Sequence, residues 1–296
     1  MPDDENHHWP EPTHTEVDHM PPTAHDTPES NAPQLSFDAA PYRDYGNIDT
    51  LHRLQHPRTH HPAERDFILT TQVMELLFHT LIHRWEHARD ALQTDDVHQA
   101  LCWLRRATHA QDVLVDSWQL LADLQPAEFA QFRDALGSAS GFHSHTYRHL
   151  EFLLGNKSAA MIRPHQDSPH IRAQLESALA QPSLYDAALG LLARRGMDIP
   201  REVTDRDLTQ PYQPHPDVQH AWHSVYHGHH PDLIHLAEAL LDTAERATRW
   251  RQRHLMAVKR VLGNKPGTGG SSGLEWLTTA AHSDVFPDLW SVRTIL

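Results

Sequence analysis

From residue 64 onward apolar side chains recur at helical spacing, and no stretch alternates with the period of two that a half-buried strand needs. Phe67, Ile68, Val73, Met74, Leu76, Leu77, Leu81 and Trp85 form one broad stripe with a polar face opposite, the pattern of a helix that buries one side. A second helix is predicted to start at Asp95 or Asp96, whose side chains can cap it, and to run past Trp118 toward Leu124, where Pro126 punctuates it. Further helices are predicted over 127–155, 169–180, 184–195, 216–226 and 231–263, and the proline-containing stretch 199–216 reads as a loop. The expected fold class is therefore all-α.

Residues 1–40 differ in composition from the rest. They hold no Lys or Arg, and their Pro, His, Asp, Glu, Ser and Thr leave too few apolar groups to offset the entropy of ordering. The predicted organisation is a disordered, acidic His/Pro-rich tail over 1–40 and one domain over 41–296. A formal charge of −14 argues against nonspecific nucleic-acid binding, which needs a basic footprint. No basic segment followed by an apolar run opens the chain, and no long uncharged apolar segment occurs, so neither export nor a membrane partner is expected and a cytoplasmic location is. Cys102 is the sole cysteine, which excludes an internal disulfide and an all-cysteine metal site. Beside Leu101, Trp103 and Leu104 it reads as a small core residue.

Histidine is abundant, with 28 copies. His79, His83 and His87 are spaced to stack along one helix face, and His227, His229 and His230 crowd a turn-like run. That spacing supplies no complete zinc ligand set, and no His-Glu-x-x-His motif accompanies it, so a solvated face is the expected reading. A histidine-rich metal-binding protein is the leading non-enzymatic alternative.

The most informative segment begins W250-R-Q-R-H254-L-M-A-V-K-R-V-L-G263 and continues N-K-P-G-T-G-G-S-S-G273. A histidine late on an apolar helix can bind a metal through a neutral nitrogen, although one on its own is more often a buried, hydrogen-bonded side chain. Composition alone makes the glycine-serine stretch a flexible linker. Three other blocks join it in order: P41-Y-R-D-Y-G-N-I-D-T-L51, E64-R-D-F-I-L-T-T-Q-V-M-E-L-L-F78 and F132-R-D-A-L-G-S-A-S-G-F-H-S-H-T-Y-R148 running on to Lys157, with F286-P-D-L-W290 near the end. Together they resemble the tryptophan 2,3-dioxygenase superfamily of histidine-ligated haem oxygenases, from about Tyr42 onward.

The resemblance implies a helical haem-binding domain that oligomerises, typically as a homotetramer. It implies haem b with His254 as the axial iron ligand, and dioxygen or peroxide as co-substrate. Arg148 corresponds to the arginine that grips the carboxylate of a small-molecule aromatic amino acid, and Ser144, one turn earlier, is placed to assist. Gly267, Thr268, Gly269 and Gly270 correspond to a closing loop. Tyr42 and Tyr45 correspond to arm tyrosines that reach a neighbouring subunit. Phe67 falls where the aromatic pocket wall belongs. Two positions depart from the pattern: Thr71 stands where the dioxygenases carry a distal histidine, and Gly46 where leucine is usual. Both changes add space, so the expected substrate is L-tryptophan or a substituted, for example methylated, tryptophan oxidised at indole C2/C3 in specialised metabolism, with one oxygen inserted to give a 2-oxindole. A conventional dioxygenase giving N-formylkynurenine and a haem-dependent tyrosine hydroxylase are the enzymatic alternatives.

Overall fold

The structure, a computed structural model, describes residues 40–265, 267 and 273–296. The tail reading, apart from Ala40, and the loop residues Thr268, Gly269 and Gly270 lie outside the described residues. The chain divides into two compact units between Leu51 and His52. The first carries α1 (Pro41–Tyr45) and α2 (Ile48–Leu51), neither of which buries a residue. Tyr42 and Tyr45 are exposed there, at 81% and 93%. Gly46 closes α1, its N–H bonded to the Tyr42 carbonyl. A Cβ at Gly46 would lie 2.9 Å from Ile48 Cδ1 and 3.2 Å from that carbonyl, so local packing already favours glycine at this position.

The second unit is built from α3 (Pro62–Gln93), α4 (Val97–Asp116), α5 (Pro126–Phe132), α6 (His145–Leu153), α7 (Pro169–Ala180), α8 (Leu184–Arg194), α9 (Arg201–Thr204), α10 (Pro216–His227), α11 (Pro231–Leu262), α12 (Leu274–Ala281) and α13 (Pro287–Ser291). Among the described residues there is no strand. Proline at the first turn starts α3, where its missing N–H costs nothing. The Glu64 carboxylate in that turn accepts from the Arg58 and Thr59 N–H groups, both at 2.7 Å, and fastens the preceding loop to the helix. Burial of Met74, Phe78, Leu81, Trp85, Ala88 and Leu92 then follows the helical period. α4 begins as expected, with Asp96 accepting from the Gln99 N–H at 2.9 Å.

α3 packs along α4, α6 and α8, while α4 packs on α11 and α11 on α12. Buried polar contacts pin these layers. Gln111 on α4 donates to the Thr243 carbonyl on α11 at 3.0 Å. Arg251 on α11 pairs with Glu151 on α6 at 2.9 Å, both side chains 4% exposed. Trp222 donates to the Tyr185 hydroxyl, which donates to Asp288, each at 3.0 Å.

Three expectations change. The helix predicted to reach Leu124 ends at Asp116 and continues as a tighter 3₁₀ turn over Ser117–Leu121. The single helix expected over 127–155 is broken. Gly137 adopts φ +59°, Ser140 caps a short 3₁₀ turn, and Ser144 caps α6 by accepting from the Tyr147 N–H at 2.9 Å. Serine side chains here satisfy backbone groups that a continuous helix would have paired. Within the predicted loop 199–216, α9 forms and buries Val203. Among the described residues no helix is long and apolar enough to cross a membrane.

Candidate functional site

His254 lies in the last third of α11, one turn after Trp250. Its ring stacks on Trp118 at 4.7 Å and 16°, and leans on Trp250 at 5.5 Å and 50°. The residue as a whole keeps an open side, yet the ring is wrapped by neighbours, and that desolvation pulls its pKa down to about 4. The imidazole is therefore neutral at physiological pH and has a nitrogen lone pair to offer a metal.

Several observations test whether a haem group suits this place. Among the described residues no three His, Cys, Asp or Glu side chains are grouped to hold a bare ion, whereas a porphyrin brings four nitrogen donors and needs one histidine. Trp118 Nε1 is buried without a partner among the described residues, a donor available to a polar group bound beside His254. Leu120 and Met256, each two residues from one of the stacked rings, stand 58% and 59% exposed. A neutral histidine, an unsatisfied indole N–H and uncovered apolar side chains fit a large, mostly apolar prosthetic group.

Two ring clusters lie among the other expected residues of the second unit. Phe67, half-buried on α3, packs against Phe129 at 5.9 Å and Phe132 at 5.7 Å on α5. Thr71, one turn later and exposed, donates its hydroxyl to the Phe67 carbonyl at 3.0 Å. The second cluster joins Phe78, Tyr147, Trp250, Trp118 and His254. The elements that bear the two clusters converge: α3 and α11 both pack on α5 and on the 3₁₀ turn that carries Trp118.

Arg148, on α6 beside Tyr147, is 3% exposed, with its guanidinium 5.6 Å from the centre of the Phe142 ring. Burial lowers its pKa, and Glu151 and Tyr147 work in the opposite direction. Ser144 caps α6 with its side-chain oxygen, which accepts from the Tyr147 N–H at 2.9 Å and keeps its own hydroxyl proton to donate. Gly267 is half-buried, and a Cβ on Gly273 would sit 3.4 Å from the Gly267 nitrogen. The two described ends of the glycine-serine loop thus lie side by side. His79, His83 and His87 sit on α3 as expected, where His87 stacks on Trp103 at 4.6 Å and 19°.

Three features near these residues were not read from the sequence. Trp118 was placed inside a helix, with nothing to mark it as the ring beneath His254. The Glu151–Arg251 pair joins residues 100 positions apart. Arg133 directly follows Phe132, which touches Phe67, so a second arginine is carried by the segment that walls the Phe67 face. The only sequence signal for it was the F132-R-D run itself.

A family profile described as tryptophan 2,3-dioxygenase matches residues 28–231 and 223–296. Over 257 residues the chain is 40% identical to tryptophan 2,3-dioxygenase 1 of Ralstonia nicotianae, covering 86% of this chain and 87% of that protein. It is 40% identical to tryptophan 2,3-dioxygenase of Burkholderia pseudomallei and 39% identical to that of Burkholderia mallei, in each case over 283 residues, 94% of this chain and 92% of the relative.

Proposed function

The chain belongs to the tryptophan 2,3-dioxygenase family and is an oxygenase, and from that premise we propose that it holds haem b through His254 and oxidises the indole C2–C3 bond of an L-tryptophan bearing an added group, most simply a methyl. Bound haem would supply the iron that activates dioxygen or peroxide. The protein's own residues would do the rest. His254 presents a neutral nitrogen, Trp118 donates its indole N–H beside it, and Phe67 gives an apolar wall for an indole.

Thr71 is the observation that carries the substituted-substrate reading. Its hydroxyl proton is committed to the Phe67 carbonyl, so toward an indole N–H it has lone pairs only, on a side chain smaller than the histidine expected there. Added space near one end of an anchored ligand discriminates by about 1–3 kcal/mol per methyl. Gly46 is crowded by Ile48 and the Tyr42 carbonyl in its own turn, so Thr71 is the position on which the reading rests.

The number of oxygens inserted decides between outcomes. Peroxide with one oxygen transferred gives a 2-oxindole and water; dioxygen with both atoms transferred gives the ring-opened N-formylkynurenine. Ferric enzyme with peroxide, or reduced enzyme with dioxygen, should be offered tryptophan, its methylated forms and tyrosine, and the product masses read. One added oxygen with preference for a methylated tryptophan is the expected result. Two oxygens with preference for plain tryptophan return the chain to the conventional reaction, and hydroxylated tyrosine replaces both. We further propose a cytoplasmic location and a homotetramer; the exposure of Tyr42 and Tyr45 supports the assembly.

Arg148 is proposed as the carboxylate anchor because it is nearly buried and forms no ion pair among the described residues. Arg133 is the rival that the Phe67 contacts introduce. Losing a charge-assisted double hydrogen bond costs about 2–4 kcal/mol, so Arg148→Leu should lower kcat/KM by roughly 30- to 1000-fold while leaving indoles without a carboxylate unaffected. A loss confined to Arg133→Leu would move the anchor to that residue.

A further inference from the structure

Three buried polar atoms without a partner among the described residues belong to side chains that line one small cavity. They are Nε1 of Trp85 on α3, Oε1 of Gln111 on α4 and Nε1 of Trp250 on α11. The residues are 1%, 2% and 7% exposed. The cavity leaves about 20 Å³ open to a water-sized sphere, more than the roughly 10–15 Å³ that one water requires.

The chemistry of the three atoms is complementary. Gln111 is held by its own Nε2, which donates to the Thr243 carbonyl, so the remaining amide atom is fixed as an acceptor. Trp85 and Trp250 are donors only. A single water within reach of the three atoms would satisfy them together, accepting two indole N–H groups on its two lone pairs and giving one proton to Gln111. Glu151 and Arg251, which also line the cavity, are already paired with each other. An apolar occupant would leave all three atoms unsatisfied, and buried polar groups are rarely left so.

We propose that this cavity is a binding site for one structural water, which ties α3, α4 and α11 together and sets the orientation of Trp250 against His254. The Trp250 and His254 rings are 5.5 Å apart, one helical turn along α11. Through that contact the water acts as a positioning element for the imidazole. This functional half rests on His254 being the haem ligand; the water site itself does not.

The test is a crystal structure of the haem-loaded full chain at a resolution that shows waters, paired with resonance Raman spectra of the ferrous protein. One peak is expected within about 2.7–3.2 Å of all three atoms. Gln111→Leu should abolish the peak and shift the iron–imidazole stretch. Trp85→Phe keeps the ring, removes one donor and should shift the same band if Gln111→Leu fails to fold. An empty or apolar-filled cavity in the parent overturns the site. An unchanged stretch in a folded variant that has lost the water overturns the positioning role. A parent that shows the water yet binds no haem through His254 fails the functional reading and leaves the site standing.

Discussion

Replacing His254 by alanine is expected to give a folded protein that is purified almost free of haem and shows no measurable oxygenation. Alanine is the best helix former, so α11, 32 residues long, should keep its shape. What disappears is the nitrogen proposed to reach the metal. Outer-shell partners of a metal ligand typically contribute about 10- to 100-fold in affinity, and losing the ligand itself should exceed about 100-fold. Haem-to-protein ratio, Soret absorption and thermal melting measured together separate the cases. A variant with the parent's haem content and Soret band would refute the assignment. One that fails to melt cooperatively would instead show that the Trp118 stack is needed for folding.

Arg251→Met is expected to lower stability by about 3–5 kcal/mol, the usual consequence of stranding one member of a buried ion pair. Burial by itself would raise the Glu151 carboxyl, but Arg251, with hydrogen bonds from Tyr147 and Asn156, more than offsets it and holds the pKa below the ordinary carboxylate value. The carboxylate is thus ionised and has nowhere to be hydrated once Arg251 is gone. Arg251 also bonds to the Ser283 carbonyl at 3.1 Å, so the change loosens the segment after α12 as well. Urea unfolding of Arg251→Met and of the double variant Glu151→Gln/Arg251→Met gives the coupling directly. The double variant should recover part of the loss. A single-variant cost below about 1 kcal/mol would mean that water reaches Glu151.

Helices 169–180, 216–226 and 231–263 were legible within a residue or so because each carries its own proline start and its own apolar stripe. The break in 127–155 was not. It depends on Ser140 and Ser144 turning their hydroxyls back to the chain, a competition that the flanking apolar residues conceal. His254 stood out as a candidate only through its flanking motif, and its neutral state follows from packing that no local pattern encodes. Arg251 and Glu151, like Phe67 and Phe132, meet across long stretches of chain, where sequence spacing carries no information. Gly46 shows the converse case. A residue that looked like added space also has close neighbours in its own turn.

The face-to-face stack of Trp118 on His254, with Trp250 at its edge, has a photophysical consequence. Two of the eight tryptophans sit close enough to the proposed iron ligand for their excited states to be drained into a bound porphyrin. Ultraviolet-excited emission therefore contains a share that disappears on loading and returns on release. Without any added label, the protein carries an optical gauge of its own occupancy.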